Sequence, residues 1–320
     1  MISILQQYDE FPTLTRDNTI DGLVENFIET TGEAIHDLLC DNIDPNSEEY
    51  RGLDVDRDTE VEVETAIRFF PEILSRRSRG GGRDYHPVKC LANGYYGAAW
   101  RFNLKAVSFL PLLVKLAIEF GTFDEELRGG LLTDDEAGDK VLVLLTVSDR
   151  DFENKNEAEN RIYNELIDDK LLLVMKQLRK MGVLKKEDIQ RHVLLEELCH
   201  QRVFAKKRFR FLAEWDPVAL TKSDDYGYSP LHYAAENGNS IQGFQSVLEY
   251  GIRYYPNKKG ISLLFKGGNK TVTGPKFPKD TPFQLACKKF GREEVMNAIE
   301  DTITHYYYSD DTPALDIFRH

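Results

Sequence analysis

Apolar positions recur at helical intervals through most of the chain. From Thr19 to Cys40 they fall at Ile20, Leu23, Val24, Phe27, Ile28, Ile35, Leu38 and Leu39, with Thr31-Gly32 interrupting, which predicts two short helices or one kinked helix. Asn42 to Arg57 reads as a polar loop, and Thr59 with Glu62 forms the pattern of a capping box ahead of a helix that stops at Pro71. Leu104 to Gly121 predicts a strongly apolar helix, with a connection from Gly129-Gly130 towards Val141 to Val147. Glu157 to Met181 carries Ile162, Leu166, Ile167, Leu171, Leu173, Val174, Leu178 and Met181, read as one stripe on a helix of about seven turns closed by Gly182.

The segment Asp224 to Gly238, DDYGYSPLHYAAENG, has the most specific local chemistry. Asp224 to Gly227 supplies a turn in which glycine can take positive φ, and Ser229 then Pro230 stand at the N-cap and first helical position. Leu231 is core-facing, Ala234 and Ala235 allow close helix approach, and Gly238 is expected to end the helix as a left-handed cap. So short a helix needs neighbours to bury its apolar face.

Those neighbours are visible as partial copies. Thr281-Pro282-Phe283 runs to Cys287 and His86-Pro87-Val88 runs to Ala92 in the same pattern, while Val193 to Cys199 aligns Leu195, Leu198 and Cys199 with Leu231, Ala234 and Ala235. Ala66 to Pro71 and Gly251 to Pro256 share Ile-Arg, two aromatics and proline, with Asp216-Pro217 a looser version, and these prolines read as helix ends. The interval from Leu195 to Leu231 is close to the roughly 33 residues of one helix-pair repeat, and the longer step from Pro230 to Pro282 implies an insertion between Pro256 and Pro282.

Asp224 to Gly238 resembles the ankyrin consensus of a turn followed by Thr-Pro-Leu-His-x-Ala-Ala-x-x-Gly, with Ser229 in place of Thr and His232 at the family's histidine. The other copies lack the histidine, the turn glycine or the Thr-Pro, so the chain resembles the divergent ankyrin-like arrays common in algal proteins such as those of diatoms. The resemblance implies an all-α solenoid of stacked helix pairs with protruding loops, and a binding scaffold in place of a catalyst. The corresponding organisation is an acidic helical cap (1–53), an N-terminal divergent block (54–149), a long connecting helix (150–184), a C-terminal block (185–304) with an inserted basic loop (257–280), and a tail (305–320).

Composition narrows the class. No run of about 18 apolar residues occurs and Met1 to Thr15 lacks the layout of a signal peptide, so a soluble intracellular monomer, cytoplasmic or nuclear, is expected. Cys40, Cys90, Cys199 and Cys287 are expected as buried free thiols. The net charge of −13 is concentrated at the N-terminus: residues 1–75 hold 19 acidic and 4 basic side chains, a net of 4 minus 19 or −15. That balance opposes general nucleic-acid affinity, which needs cationic surface to displace counterions, and leaves an acidic cap that could face a basic partner.

Several motifs are weak on inspection. Asp54, Asp56 and Asp58 alternate like a calcium loop, but Thr59 and Thr65 replace the glycine and glutamate that such a loop requires. Gly267-Gly268-Asn269-Lys270-Thr271 fails the spacing of a phosphate loop, the histidines show no ligand spacing, and neither metal nor cofactor is expected. Lys206 to Arg210 resembles a short nuclear import signal, the basis for an alternative reading as a nuclear regulator, yet Phe209 and Phe211 place the same residues on a half-buried helix. An enzyme with an unrecognised site in 93–185 is the other alternative, although no nucleophile–base pair there supports it. Partner contact is therefore expected at one loop tip, Asp224, Asp225, Tyr226 and Tyr228, and at the insertion, through Lys258, Lys259, Lys266 and Lys270.

Overall fold

Proline and capping chemistry set most of the helix boundaries. In the computed structural model, which describes residues 18–41, 43, 47–77, 85–92, 94–96, 99–101, 103–134, 140–147, 157–225, 227–238, 240–256, 258–267 and 280–308, the chain opens with α1 (Asn18–Cys40) and α2 (Glu60–Phe69). There follow α3 (Pro87–Ala92), a hairpin of β1 (Gly94–Tyr96) and β2 (Ala99–Arg101), α4 (Leu110–Glu119), α5 (Val141–Leu144) and α6 (Glu157–Lys180). The second half comprises α7 (Lys186–Arg191), α8 (Leu194–His200), α9 (Lys206–Trp215), α10 (Pro230–Asn237), α11 (Ile241–Tyr254), α12 (Lys258–Ser262), α13 (Pro282–Phe290) and α14 (Arg292–Tyr308).

Pro87, Pro230 and Pro282 each begin a helix, where the missing N–H costs nothing. Pro71 and Pro217 follow helix ends and start single 3₁₀ turns. The capping box ahead of α2 is formed: Glu62 N–H donates to Thr59 Oγ1 at 3.3 Å and Thr59 N–H donates to Glu62 Oε2 at 3.0 Å. The acidic run before it is tied into local structure, since Lys105 pairs with Asp54 at 2.9 Å and Arg57 with Asp58 at 2.8 Å.

The structure is predominantly helical, and among the described residues the antiparallel hairpin β1–β2, pairing Gly94 with Arg101, is its one sheet. α8 lies against α10 and α10 against α13, while α9, α11 and α14 run behind them, α9 against α11 and α11 against α14. The pairs α8–α9, α10–α11 and α13–α14 are also in contact. In the first half α1, α3 and α5 succeed one another, with α2, α4 and α6 packed in a second succession that continues through α6 onto α9. One hydrophobic core runs through these contacts from Leu39 to Ile299.

Two expectations are corrected, at Gly238 and in the insertion, and a third is narrowed. Of the two readings of 19–40, the single helix holds: α1 runs through Thr31-Gly32, where Gly32 is buried against the Phe70 ring and packing supplies what local propensity lacks. Gly238 has φ −56° and ψ 138°, so it is no left-handed cap; its value is closeness, as a Cβ would lie 3.0 Å from the Ala234 carbonyl. The insertion is not simply a loop, since residues 258–265 are helical and Leu263 and Leu264 are buried. The long helix α6 packs against both α4 and α9.

The junction between α6 and α9 is held by a buried ion pair. Asp168 Oδ2 accepts from Lys207 N–H at 2.8 Å, and Oδ1 accepts from Arg208 N–H at 3.1 Å and Arg208 Nε at 3.0 Å, so one carboxylate caps the start of α9. Arg208 Nη1 then donates to the carbonyls of Leu145 and Val147 at 2.7 and 2.9 Å. Arg208 is 1% exposed, so the basic run Lys206 to Arg210 is a folded helix with its central arginine inside and Lys206, Lys207 and Arg210 exposed. No helix among the described residues is long and apolar enough to cross a membrane.

Candidate partner-binding face

The turn before α10 is built around Asp224. Its backbone N–H donates to the Tyr228 carbonyl at 2.9 Å and its carbonyl accepts from Gly227 N–H at 3.0 Å, with Gly227 at φ 83° as the turn requires. The Asp224 side chain accepts from Tyr228 N–H at 2.8 Å through Oδ1 and from the Tyr233 hydroxyl at 2.5 Å through Oδ2. Asp224 thus braces the tip, while Asp225 is exposed. Tyr226 lies outside the described residues.

Tyr228 corrects the expectation of an aromatic contact at the tip. It is 4% exposed, stacks on His232 with centroids 5.0 Å apart and a 6° interplanar angle, and meets Tyr233 edge-on at 5.6 Å. Burial pushes its hydroxyl up to about 12. The ring is a packing element beneath the turn.

Ser229, Pro230, Leu231, His232, Ala234 and Ala235 are all buried, as a structural motif demands. Ser229 N–H donates to His232 Nδ1 at 3.0 Å, and Ser229 Oγ lies 2.9 Å from the same nitrogen. A nitrogen that accepts carries no proton, so the imidazole is neutral, consistent with burial drawing it down to about 4. Its Nε2 is buried beside the main chain of Lys266 without a hydrogen bond of ordinary geometry. Thr281 and Gln284 reproduce the same closure: Thr281 N–H donates to Gln284 Oε1 at 2.9 Å, and Gln284 N–H to Thr281 Oγ1 at 3.3 Å.

In α8 the residue aligned with His232 is Glu196, and there the closure fails. Val193 stands where Ser229 does, at φ 47°, a left-handed conformation costly for a β-branched residue, and offers no cap. Glu196 is 6% exposed, its Oε2 has no hydrogen-bond partner, and burial, reinforced by Asp224 and Glu197, pushes its carboxyl up to about 7. Sequence alone could have marked this site only through the alignment of Glu196 with His232. A second buried node, Asp188, accepts from Lys185 N–H at 2.8 Å and from Arg128 at 2.5 Å, with Arg128 itself at φ 48°.

The lysines divide by role. Lys258 and Lys259 are exposed on α12, with Lys259 Nζ 4.6 Å from the Tyr255 ring centroid. Lys266 donates to the Thr221 carbonyl at 2.9 Å and so ties the insertion to the turn after α9; burial lowers its pKa. Lys270 lies outside the described residues. α12 approaches α11 at Gly260, where a Cβ would lie 2.7 Å from the Ile252 Cα, so only glycine permits this seat. Cys40 and Cys199 are buried, Cys90 and Cys287 half-buried, and all four are free thiols. Among the described residues no grouping of His, Cys, Asp or Glu could hold a metal ion.

Comparison of the chain with protein families, with curated proteins and with solved structures finds no match in any of the three.

Proposed function

We propose that this chain is a protein-binding scaffold of divergent ankyrin-type helix pairs, with a partner seated across the Asp225 tip and the lysines of α12. The observation that carries the reading is the paired closure at Ser229–His232 and Thr281–Gln284, which starts α10 and α13 the same way, two helices that pack side by side. A capping box also starts α2 at Thr59–Glu62, so what favours a duplicated unit is its combination with proline at the first helical position, shared by α10 and α13. Such arrays present loop tips and one row of helices to other proteins. Lys258 and Lys259 place cationic side chains beside that row, which suits an acidic partner surface.

The test compares proteins captured from native lysate by the wild type and by a Lys258→Glu, Lys259→Glu variant with unchanged helical circular dichroism. A partner enriched by the wild type and reduced at least about tenfold by the variant is expected, the scale of losing a charged contact worth roughly 1.4 kcal/mol or more. Equal capture by both would contradict the surface, and enrichment by neither would contradict the scaffold.

A further inference from the structure

Two thiols distant in sequence come together where α1 meets α3. Cys40 is the last residue of α1, Cys90 stands in the middle of α3, and the two helices pack against each other. Cys40 lies in the hydrophobic core, and Cys90 is half-buried against the same core. Cys90 is the hydrogen-bonding neighbour of the Cys40 thiol, and that bond, followed by burial, pushes Cys40 well above the usual thiol range. The thiolate is the reactive form, so an enclosed thiol held protonated is a poor first nucleophile. Exposure therefore assigns the first encounter with a solution reagent to Cys90.

A base stands beside the pair. One turn before Cys40, buried His36 places Nε2 3.6 Å from Cys40 Sγ and 3.3 Å from the Arg76 carbonyl oxygen, with Nδ1 3.8 Å from an Asp37 carboxylate oxygen. With its proton on Nδ1, the ring can accept the Cys40 proton at Nε2. The imidazolium then donates from Nε2 to the Arg76 carbonyl and faces Asp37 with Nδ1–H, so both of its protons meet acceptors. Packing explains one buried cysteine. A second thiol against it and a base in reach supply chemistry that packing does not use. We propose that Cys40 and Cys90 form a reversible dithiol site that a peroxide closes into a disulfide between α1 and α3. The Cys90 thiolate attacks one oxygen of hydrogen peroxide, the O–O bond breaks, and Cys90 becomes a sulfenic acid as the other oxygen leaves as water. Cys40 Sγ then attacks Cys90 Sγ while its proton passes to His36 Nε2. The S–O bond breaks, and the departing hydroxide takes the proton back from the imidazolium. Two thiols and one hydrogen peroxide thus give one disulfide and two waters, both sulfurs being oxidised and the peroxide reduced.

The remaining cysteines serve as internal controls. Cys199 is enclosed in α8, and Cys287, half-buried like Cys90, lies on α13 with Arg292 as its charged neighbour. The test treats the folded full chain with hydrogen peroxide, unfolds it in N-ethylmaleimide to block every remaining thiol, and maps the linkages by mass spectrometry after proteolysis. One bond within the chain, Cys40 to Cys90, is expected, with Cys199 and Cys287 unlinked and the bond reversed by dithiothreitol. In Cys40→Ser, with helical circular dichroism unchanged, the closing thiol is missing, so Cys90 is expected to persist as the sulfenic acid and to be trapped by dimedone. Recovery of both Cys40 and Cys90 as maleimide adducts after peroxide treatment, or bonds spread evenly among the four cysteines, would overturn the proposal.

Discussion

The side chains at the third position of α8 and α10 give the clearest residue-level consequences. Glu196 has a folded pKa raised to about 7 from 4.5, so the stability it carries as a neutral acid is fully present below pH 4.5 and lost as pH rises through 7, a change on the order of 3 kcal/mol. His232 has the opposite sign: its pKa is lowered to about 4 from 6.5, so its contribution is present above pH 6.5 and lost as pH falls towards 4. Melting temperatures from pH 4 to 8 should therefore show Glu196→Gln gaining most over the wild type at the alkaline end. His232→Gln, which copies the closure at Gln284, should lose less at the acid end. Tyr228→Ala should cost roughly 3–5 kcal/mol in denaturant melts, as for other buried aromatics, whereas an exposed tip residue would cost almost nothing. These three roles differ in how far the sequence reveals them. The Ser229–His232 closure is local and legible, being three residues apart, but the burial of Tyr228 depends on Asp224 curling the turn back over α10, and nothing in the pattern of its neighbours marks that.

Among the elements, boundaries were readable wherever proline or a capping pair fixes them, as at Pro230, Pro282 and Thr59–Glu62. Which face of a helix is buried was less readable. In α6 both Leu171 and Leu173 fit a helical period, yet they point to opposite sides, and only the packing of α4 and α9 separates core from surface. The burial of Arg208 within the basic run of α9 was hidden for a related reason: Asp168, 40 residues earlier in the chain, draws it inside. Asp168→Ala leaves that guanidinium buried without its counter-charge and uncaps α9, so a loss of about 3–5 kcal/mol is expected by chemical denaturation. Ala235→Leu should cost about 1–3 kcal/mol by overpacking the seat of α10, since Ala235 is fully buried. An unchanged melting midpoint in either variant would contradict these contacts.

At the scale of the whole molecule, the proposed array of stacked pairs would make stability a matter between neighbours, so that a lesion at one end is felt locally and fades along the stack. A single centre of packing would spread the same lesion through every element. The central claim is tested most directly by hydrogen exchange of the wild type and Ala286→Asp, which buries a carboxylate in α13, where Ala286 is fully enclosed. The array predicts faster exchange in α13 and α14, a smaller rise in α10 and α11, and unchanged protection in α2, α3 and α4. An equal rise across all helices would contradict it.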